Sequence, residues 1–237
     1  MPGARAIVYG RAMPAQPLAL ALPSDGAVSA LWQSPAAPRA ALSLAHGAGA
    51  GMTHRAMAAI ADGLELLGVA TLRFQFPYME TGGRRPDPPR LAHAAVRAAA
   101  AEALRRAGEV PLFAGGRSFG GRMTSQAQAE AALEGVRGLI FFAFPLHPAG
   151  RPGTERADHL ERVGVPMLFL QGSNDALAEI DLLRGVVAKL GERATLVLAP
   201  DADHAFHVPA RTGRKDPEVL AALLSATADW TAKITQT

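Results

Sequence analysis

The chain has 237 residues, 49% of them hydrophobic and 19% charged, which is enough apolar material for one large core and excludes a disordered chain. Its formal net charge is +3 with the arginines scattered, and no basic run is interleaved with aromatics, so a nucleic-acid partner is not expected. Cysteine is absent, which excludes disulfides, thiolate nucleophiles and cysteine-based zinc sites.

Residues 1–25 are rich in Ala and Pro. They are expected to form an extension or an edge hairpin ahead of a single domain over 26–237. The apolar stretch Leu18 to Leu22 is too short for a secretory signal, and no apolar run reaches the roughly 18 residues a membrane span needs. A cytoplasmic protein without a membrane partner is the expectation; the oligomeric state is not readable.

From there short apolar runs alternate with helical segments. Strands are predicted at 28–34, 40–45, 69–76, 110–114, 138–144, 167–171 and 194–199. Helices are predicted at 54–67, 88–107, 119–133, 177–190 and 217–234, and 82–90 (GGRRPDPPR) reads as a loop. Several strands are apolar at every position, as in a parallel sheet covered on both faces. The fold class is therefore α/β, doubly wound, with a mostly parallel central sheet flanked by helices. The segment between the strands at 138–144 and 167–171 is short, so no large cap domain is expected.

After the strand at 110–114 comes GGRSFGGRM. Gly116-Arg117-Ser118-Phe119-Gly120 fits G-x-S-x-G between a strand and a helix, where a strained turn lifts a serine hydroxyl clear of the backbone. Gly116 and Gly120 are expected to make room where strand and helix cross, while Gly115 and Gly121 only loosen the flanks. A helix N-cap is the plainer role for Ser118. Two later segments favour the nucleophile: QGSND brings Asp175 and PDADHAFHVP brings His204 and His207, each just past its own strand. That chain order, Ser then Asp then His, is the one a hydrolase sheet requires. His204 is preferred to His207 as the base. Asp175 is preferred to Asp181, which falls in a helix, and to Asp203, which adjoins His204.

A serine nucleophile also needs two amide donors for an oxyanion. Phe119 follows the nucleophile. The loop after the strand at 40–45, His46-Gly47-Ala48-Gly49-Ala50-Gly51, offers Ala48 first and Gly49 next. Gly49, Arg117 and Tyr78 are candidate substrate-binding residues. Arg117, Arg122 and the Arg84-Arg85 loop read equally as anion binders or as surface ion-pair partners. Glu80, after a strand on the same sheet edge, reads either as a carboxylate approaching the site or, preferred, as one that pins the 82–90 loop through Arg84 or Arg85; His46 and His147 are expected to hold loops. Asp201, Asp203, His204 and His207 crowd together but lack metal-ligand spacing, so neither a metal nor a cofactor is expected.

HGAGAGMTH, RFQFPYMETGGRRPD, GGRSFGGRM, FPLHPAG, QGSND and DHAFHVP, from His46 to Pro209, resemble the α/β-hydrolase superfamily. The nearest likeness is to a cap-less bacterial group close to the dienelactone hydrolases. The resemblance implies a Ser118–His204–Asp175 triad, oxyanion donors at Phe119 and Ala48, and hydrolysis of a small-molecule carboxylic ester through an acyl-enzyme. Dienelactone hydrolases proper carry a cysteine nucleophile, absent here, so their lactone is not carried over. Similar eukaryotic proteins include a subunit of a chromatin complex. The alternatives are an interaction module on a hydrolase fold, or another acyl-transfer enzyme such as a thioesterase, peptidase or acyltransferase.

Overall fold

The computed structural model of the chain describes residues 14–23 and 26–236. The expectation for residues 1–25 falls partly outside that range; within it, β1 (Gln16–Leu22) runs antiparallel to β2 (Gly26–Gln33). The chain continues through β3 (Ala40–Ala45), α1 (Arg55–Leu66), β4 (Val69–Phe74), the single turn α2 (Pro77–Glu80) and α3 (Pro89–Ala107). Next come β5 (Leu112–Arg117), α4 (Phe119–Glu130) and β6 (Val136–Phe142). A 3-10 helix, Glu155–Arg162, precedes β7 (Met167–Gly172), α5 (Ile180–Leu190), β8 (Ala194–Ala199) and α6 (Asp216–Thr235).

The sheet order is β1-β2-β4-β3-β5-β6-β7-β8, and every pairing from β4 to β8 is parallel. Successive side chains on a strand point to opposite faces, and the core divides accordingly. Leu139 and Phe141 of β6, with Met167 and Phe169 of β7, pack on the side of α3, α4 and α5. Ile140, Phe142, Leu168 and Leu170 pack on the other side, against Met57, Ile60 and Leu64 of α1 and Leu223 and Trp230 of α6. This is why the strands read as unbroken apolar runs: both faces are covered. Alanines 92, 95, 99 and 103 form the buried stripe of α3 and let that helix lie close to the sheet. The connection from β6 to β7 holds only the 3-10 helix, so the fold carries no large cap.

β3 goes out to β4 on one side and β5 lies on the other, so the direction of winding reverses between β3 and β5. In open α/β sheets the loops leaving the carboxyl ends of such strands separate and leave a crevice. Those loops here are His46 to Gly51 and the Ser118 turn.

The predicted elements stand with shifted ends. The largest change is β5, which starts at Leu112 and runs on through Gly115, Gly116 and Arg117. A β-carbon on Gly115 would overlap the Ile140 carbonyl of β6. Gly115 is thus required by the sheet, and the expectation that it only loosens the flank is corrected. A β-carbon on Gly121 would sit 2.8 Å from the Gly116 oxygen, so it too belongs to the close helix–strand crossing. No helix among the described residues is long and apolar enough to cross a membrane.

Candidate active site

Ser118 joins β5 to α4 with φ 50° and ψ −117°, a backbone region that costs a non-glycine residue about 1–3 kcal/mol. Three features hold it there. The Ser118 N–H donates to the Phe142 carbonyl at 2.9 Å, the Arg122 N–H donates to the Ser118 carbonyl at 3.1 Å, and glycines flank the turn. A β-carbon on Gly120 would lie 2.5 Å from the His46 oxygen and 2.6 Å from the Ala45 oxygen. One on Gly116 would overlap the Ala45 carbonyl. The α4 N-terminus can therefore approach the end of β3 only with glycine at both positions.

Asp175 lies in the turn after β7, with 4% of its surface exposed. Its Oδ1 accepts the Leu177 N–H at 2.8 Å, an Asx-type turn. Its Oδ2 accepts Gln171 Nε2 at 2.5 Å and His204 Nδ1 at 2.7 Å. On the far side of the same imidazole, Nε2 meets Ser118 Oγ at 2.8 Å. With Nδ1–H donated to the carboxylate, Nε2 carries a lone pair and accepts the serine O–H. The structure thus brings together Ser118, Asp175 and His204, which the sequence places 29 and 86 residues apart.

The His204 loop is built by Asp203, whose Oδ1 accepts the N–H groups of Ala205 at 2.7 Å and His207 at 3.0 Å. The loop also rests on Gly172, where a β-carbon would lie 2.5 Å from the Asp203 oxygen. His207 points elsewhere: its Nδ1 bonds the Asp216 carboxylate at 2.9 Å, and that bond and charge raise its pKa above the ordinary imidazole value. Asp181 pairs with Arg184 on the exposed face of α5. Among the described residues no group of three or more His, Asp or Glu side chains is arranged to hold a metal ion.

Arg117 is half-buried, and its Nη2 donates to the His204 carbonyl at 3.3 Å. Burial holds its pKa below the ordinary arginine value, against the charges of Asp175 and Asp203. The same guanidinium lies 3.5 Å from where a Gly47 β-carbon would stand, so it borders the glycine loop as well. In that loop Ala48 and Gly49 are exposed, and the Gly49 N–H donates to the Tyr78 hydroxyl at 3.3 Å. Phe119 opens α4, where the first amides have no acceptor within the helix.

His46 and His147 hold loops in the same manner. His46 Nδ1 faces the Gly47 carbonyl at 2.8 Å and Nε2 accepts the Phe76 N–H at 3.1 Å, tying the glycine loop to FPYM. Burial pushes its pKa below the ordinary imidazole value, in keeping with a neutral ring. His147 Nδ1 faces the Pro148 carbonyl at 2.9 Å and Nε2 accepts the Glu179 N–H at 2.9 Å, tying the β6 exit to the Asp175 turn.

Glu80 corrects an expectation. Its carboxylate accepts the N–H of Ser29 at 2.9 Å and the Ser29 hydroxyl at 2.7 Å, in β2, rather than pairing with Arg84 or Arg85. The loop after α2 is pinned instead by Asp87, which accepts the Tyr78 N–H at 3.0 Å. Gln171 and Gly172 build the site without having been singled out in the sequence, and Asp203, there a rival acid, instead shapes the His204 loop. A signal existed for Gln171: a polar residue closing an apolar strand is buried only with a partner.

Residues 38–232 match the family described as alpha/beta hydrolase domain. Among solved structures, the chain resembles an α/β serine hydrolase without a lid from Xanthomonas campestris at 25% identity. The alignment covers 93% of this chain and 98% of that one, with a TM-score of 0.71. It shares the fold of a dienelactone hydrolase from Anabaena variabilis (20% identity, 93% and 97% covered, TM-score 0.73). An esterase domain from Rhodothermus marinus shares it too (18% identity, 93% and 99% covered, TM-score 0.70). With the family model spanning most of the chain, the chain belongs to the alpha/beta hydrolase domain family.

Proposed function

We propose that the protein is a serine hydrolase that cleaves small-molecule carboxylic esters through an acyl-enzyme. The observation that supports this most is the unbroken hydrogen-bonded line from Asp175 through His204 to Ser118, at 2.7 and 2.8 Å.

In the first half-reaction Ser118 Oγ attacks the ester carbonyl as its proton passes to His204 Nε2. Asp175 fixes the imidazole tautomer and stabilises the imidazolium. The amides of Phe119 and Ala48 receive the tetrahedral oxyanion, with Tyr78 and Gly49 shaping the loop beside it. The C–O bond to the alcohol breaks and His204 Nε2–H protonates the leaving oxygen. Water then repeats the sequence: it loses a proton to His204, bonds the acyl carbon and releases the acid, and Ser118 regains its proton. Arg117 acts in this reading from behind the base, through the His204 carbonyl.

The test is hydrolysis of 4-nitrophenyl acetate and butyrate. Wild-type protein is expected to turn over, and Ser118→Ala to lose on the order of a million-fold in kcat, down to the uncatalysed background. Wild-type protein without activity, or a Ser118→Ala protein that retains it, contradicts the reading and favours the interaction-module alternative.

A further inference from the structure

Arg122 lies one helical turn after Ser118, and its N–H closes that turn on the Ser118 carbonyl. Helical side chains lean back toward the helix N-terminus, and this one does: its guanidinium carbon lies 5.9 Å from the centre of the Phe119 ring. Phe119 in turn packs on Phe76, with ring centres 5.2 Å apart, in the segment tied to His46. A cation therefore stands against the residue whose amide is the proposed oxyanion donor.

Among the described residues that cation has no ion-pair partner. Its Nε–H is buried without an acceptor, and among the described residues no carbonyl or carboxylate takes either of its Nη groups. Arg156, a second half-buried arginine, lies one turn before His159 in the 3-10 helix that the His159–Ser125 hydrogen bond ties to α4, and Arg122 lies one turn before Ser125, so both arginines border the same seam. The Arg156 charge bears on Arg122 there. Arg156 has no hydrogen-bond acceptor or ion-pair partner among the described residues either. Neighbouring His159 adds no negative charge; it is driven down to about 4 by burial and by Arg162, Arg122 and His93. Several other arginines find acceptors: Arg97 takes the Ala127 and Ala131 carbonyls, Arg193 the Glu161 and Val163 carbonyls, and Arg105 and Arg106 the Glu102 carboxylate. Two like-charged guanidiniums on one seam, half-buried and unneutralised among the described residues, gain from a shared anion.

We propose that Arg122 and Arg156 form an anion-recognising subsite beside Ser118, and that the ester substrate carries a second, ionised carboxylate that binds there. This rests on the serine hydrolase reading. A planar guanidinium fork matches a carboxylate bidentately, and two half-buried forks bind it better than exposed lysines would. The exposed Arg84 and Arg85 are not needed for it.

The experiment compares two esters of one length, 4-nitrophenyl hydrogen adipate, which is anionic, and 4-nitrophenyl methyl adipate, which is neutral. The readout is the ratio of their kcat/KM values, which cancels general damage to the site. In wild-type protein at low salt the ratio is expected to favour the anionic ester about tenfold, as one or two charge-assisted hydrogen bonds provide. It should decline as salt rises from about 0.05 to about 0.5 M. Arg122→Gln and, separately, Arg156→Gln should each pull the ratio toward one. Arg156 lies outside the α4 turn, so the second variant reports even if the first disturbs the elbow. A wild-type ratio near one with both esters hydrolysed overturns the subsite and leaves the hydrolase reading standing. A ratio that both variants retain overturns it as well. Absence of turnover on either ester overturns the hydrolase reading and the subsite together.

Discussion

Ser118 is held in a costly conformation by a carbonyl of β6, the first turn of α4 and two glycines against the end of β3. Strain of this kind persists only where the surroundings over-determine it, and it aims the hydroxyl at His204 Nε2. The residue before it has a quieter part. Arg117 joins the elbow to the His204 loop across 87 residues of sequence, and we propose that this contact positions His204 relative to Ser118. Replacing it with Met is expected to lower kcat about tenfold while KM changes little, and Lys should restore part of the loss. Steady-state kinetics on a neutral short-chain ester separate this from direct substrate contact, which would instead raise KM. The convergence of Ser118, Asp175 and His204 was readable because each follows a strand of its own. The Arg117 contact with the His204 carbonyl was not, because it depends on a loop folding back over the elbow.

At the scale of elements, β3 and β8 were legible to the residue, since both are short apolar runs with loops on either side. β5 was not. Glycine reads as a loop signal, yet Gly115 and Gly116 are strand residues here because neighbouring backbones leave no space for a β-carbon. α5 begins at Ile180, three residues later than its helical pattern suggests. The missing residues, Leu177 to Glu179, have other work. The Leu177 N–H closes the Asp175 turn and the Glu179 N–H meets His147. The Glu80 pairing with Ser29 spans 51 residues and leaves no periodic trace, so only the fold reveals it. What periodicity encodes is burial on two faces; what it omits is which loop a polar side chain will reach.

At the scale of the whole molecule, the short β6–β7 connection is anchored by His159, buried against α4 with Nε2 2.7 Å from Ser125 Oγ. Burial first, then the charges of Arg162, Arg122 and His93, lower its pKa from 6.5 to about 4. Between those values the unfolded chain binds a proton that the folded protein refuses. Stability therefore falls as pH is lowered through that window, by up to about 3 kcal/mol at its lower end. His46, also depressed by burial, acts with the same sign. Urea midpoints at pH 7 and pH 4.5 check this: wild-type protein should lose more on acidification than His159→Gln, and equal losses contradict it. The central claim, that Ser118 is an activated nucleophile, is tested most directly by covalent labelling with a fluorophosphonate followed by intact mass and peptide mapping. The account predicts one equivalent on wild-type protein, mapped to Ser118, and none on Ser118→Ala. Unmodified wild-type protein, or an adduct on any other residue, would contradict it.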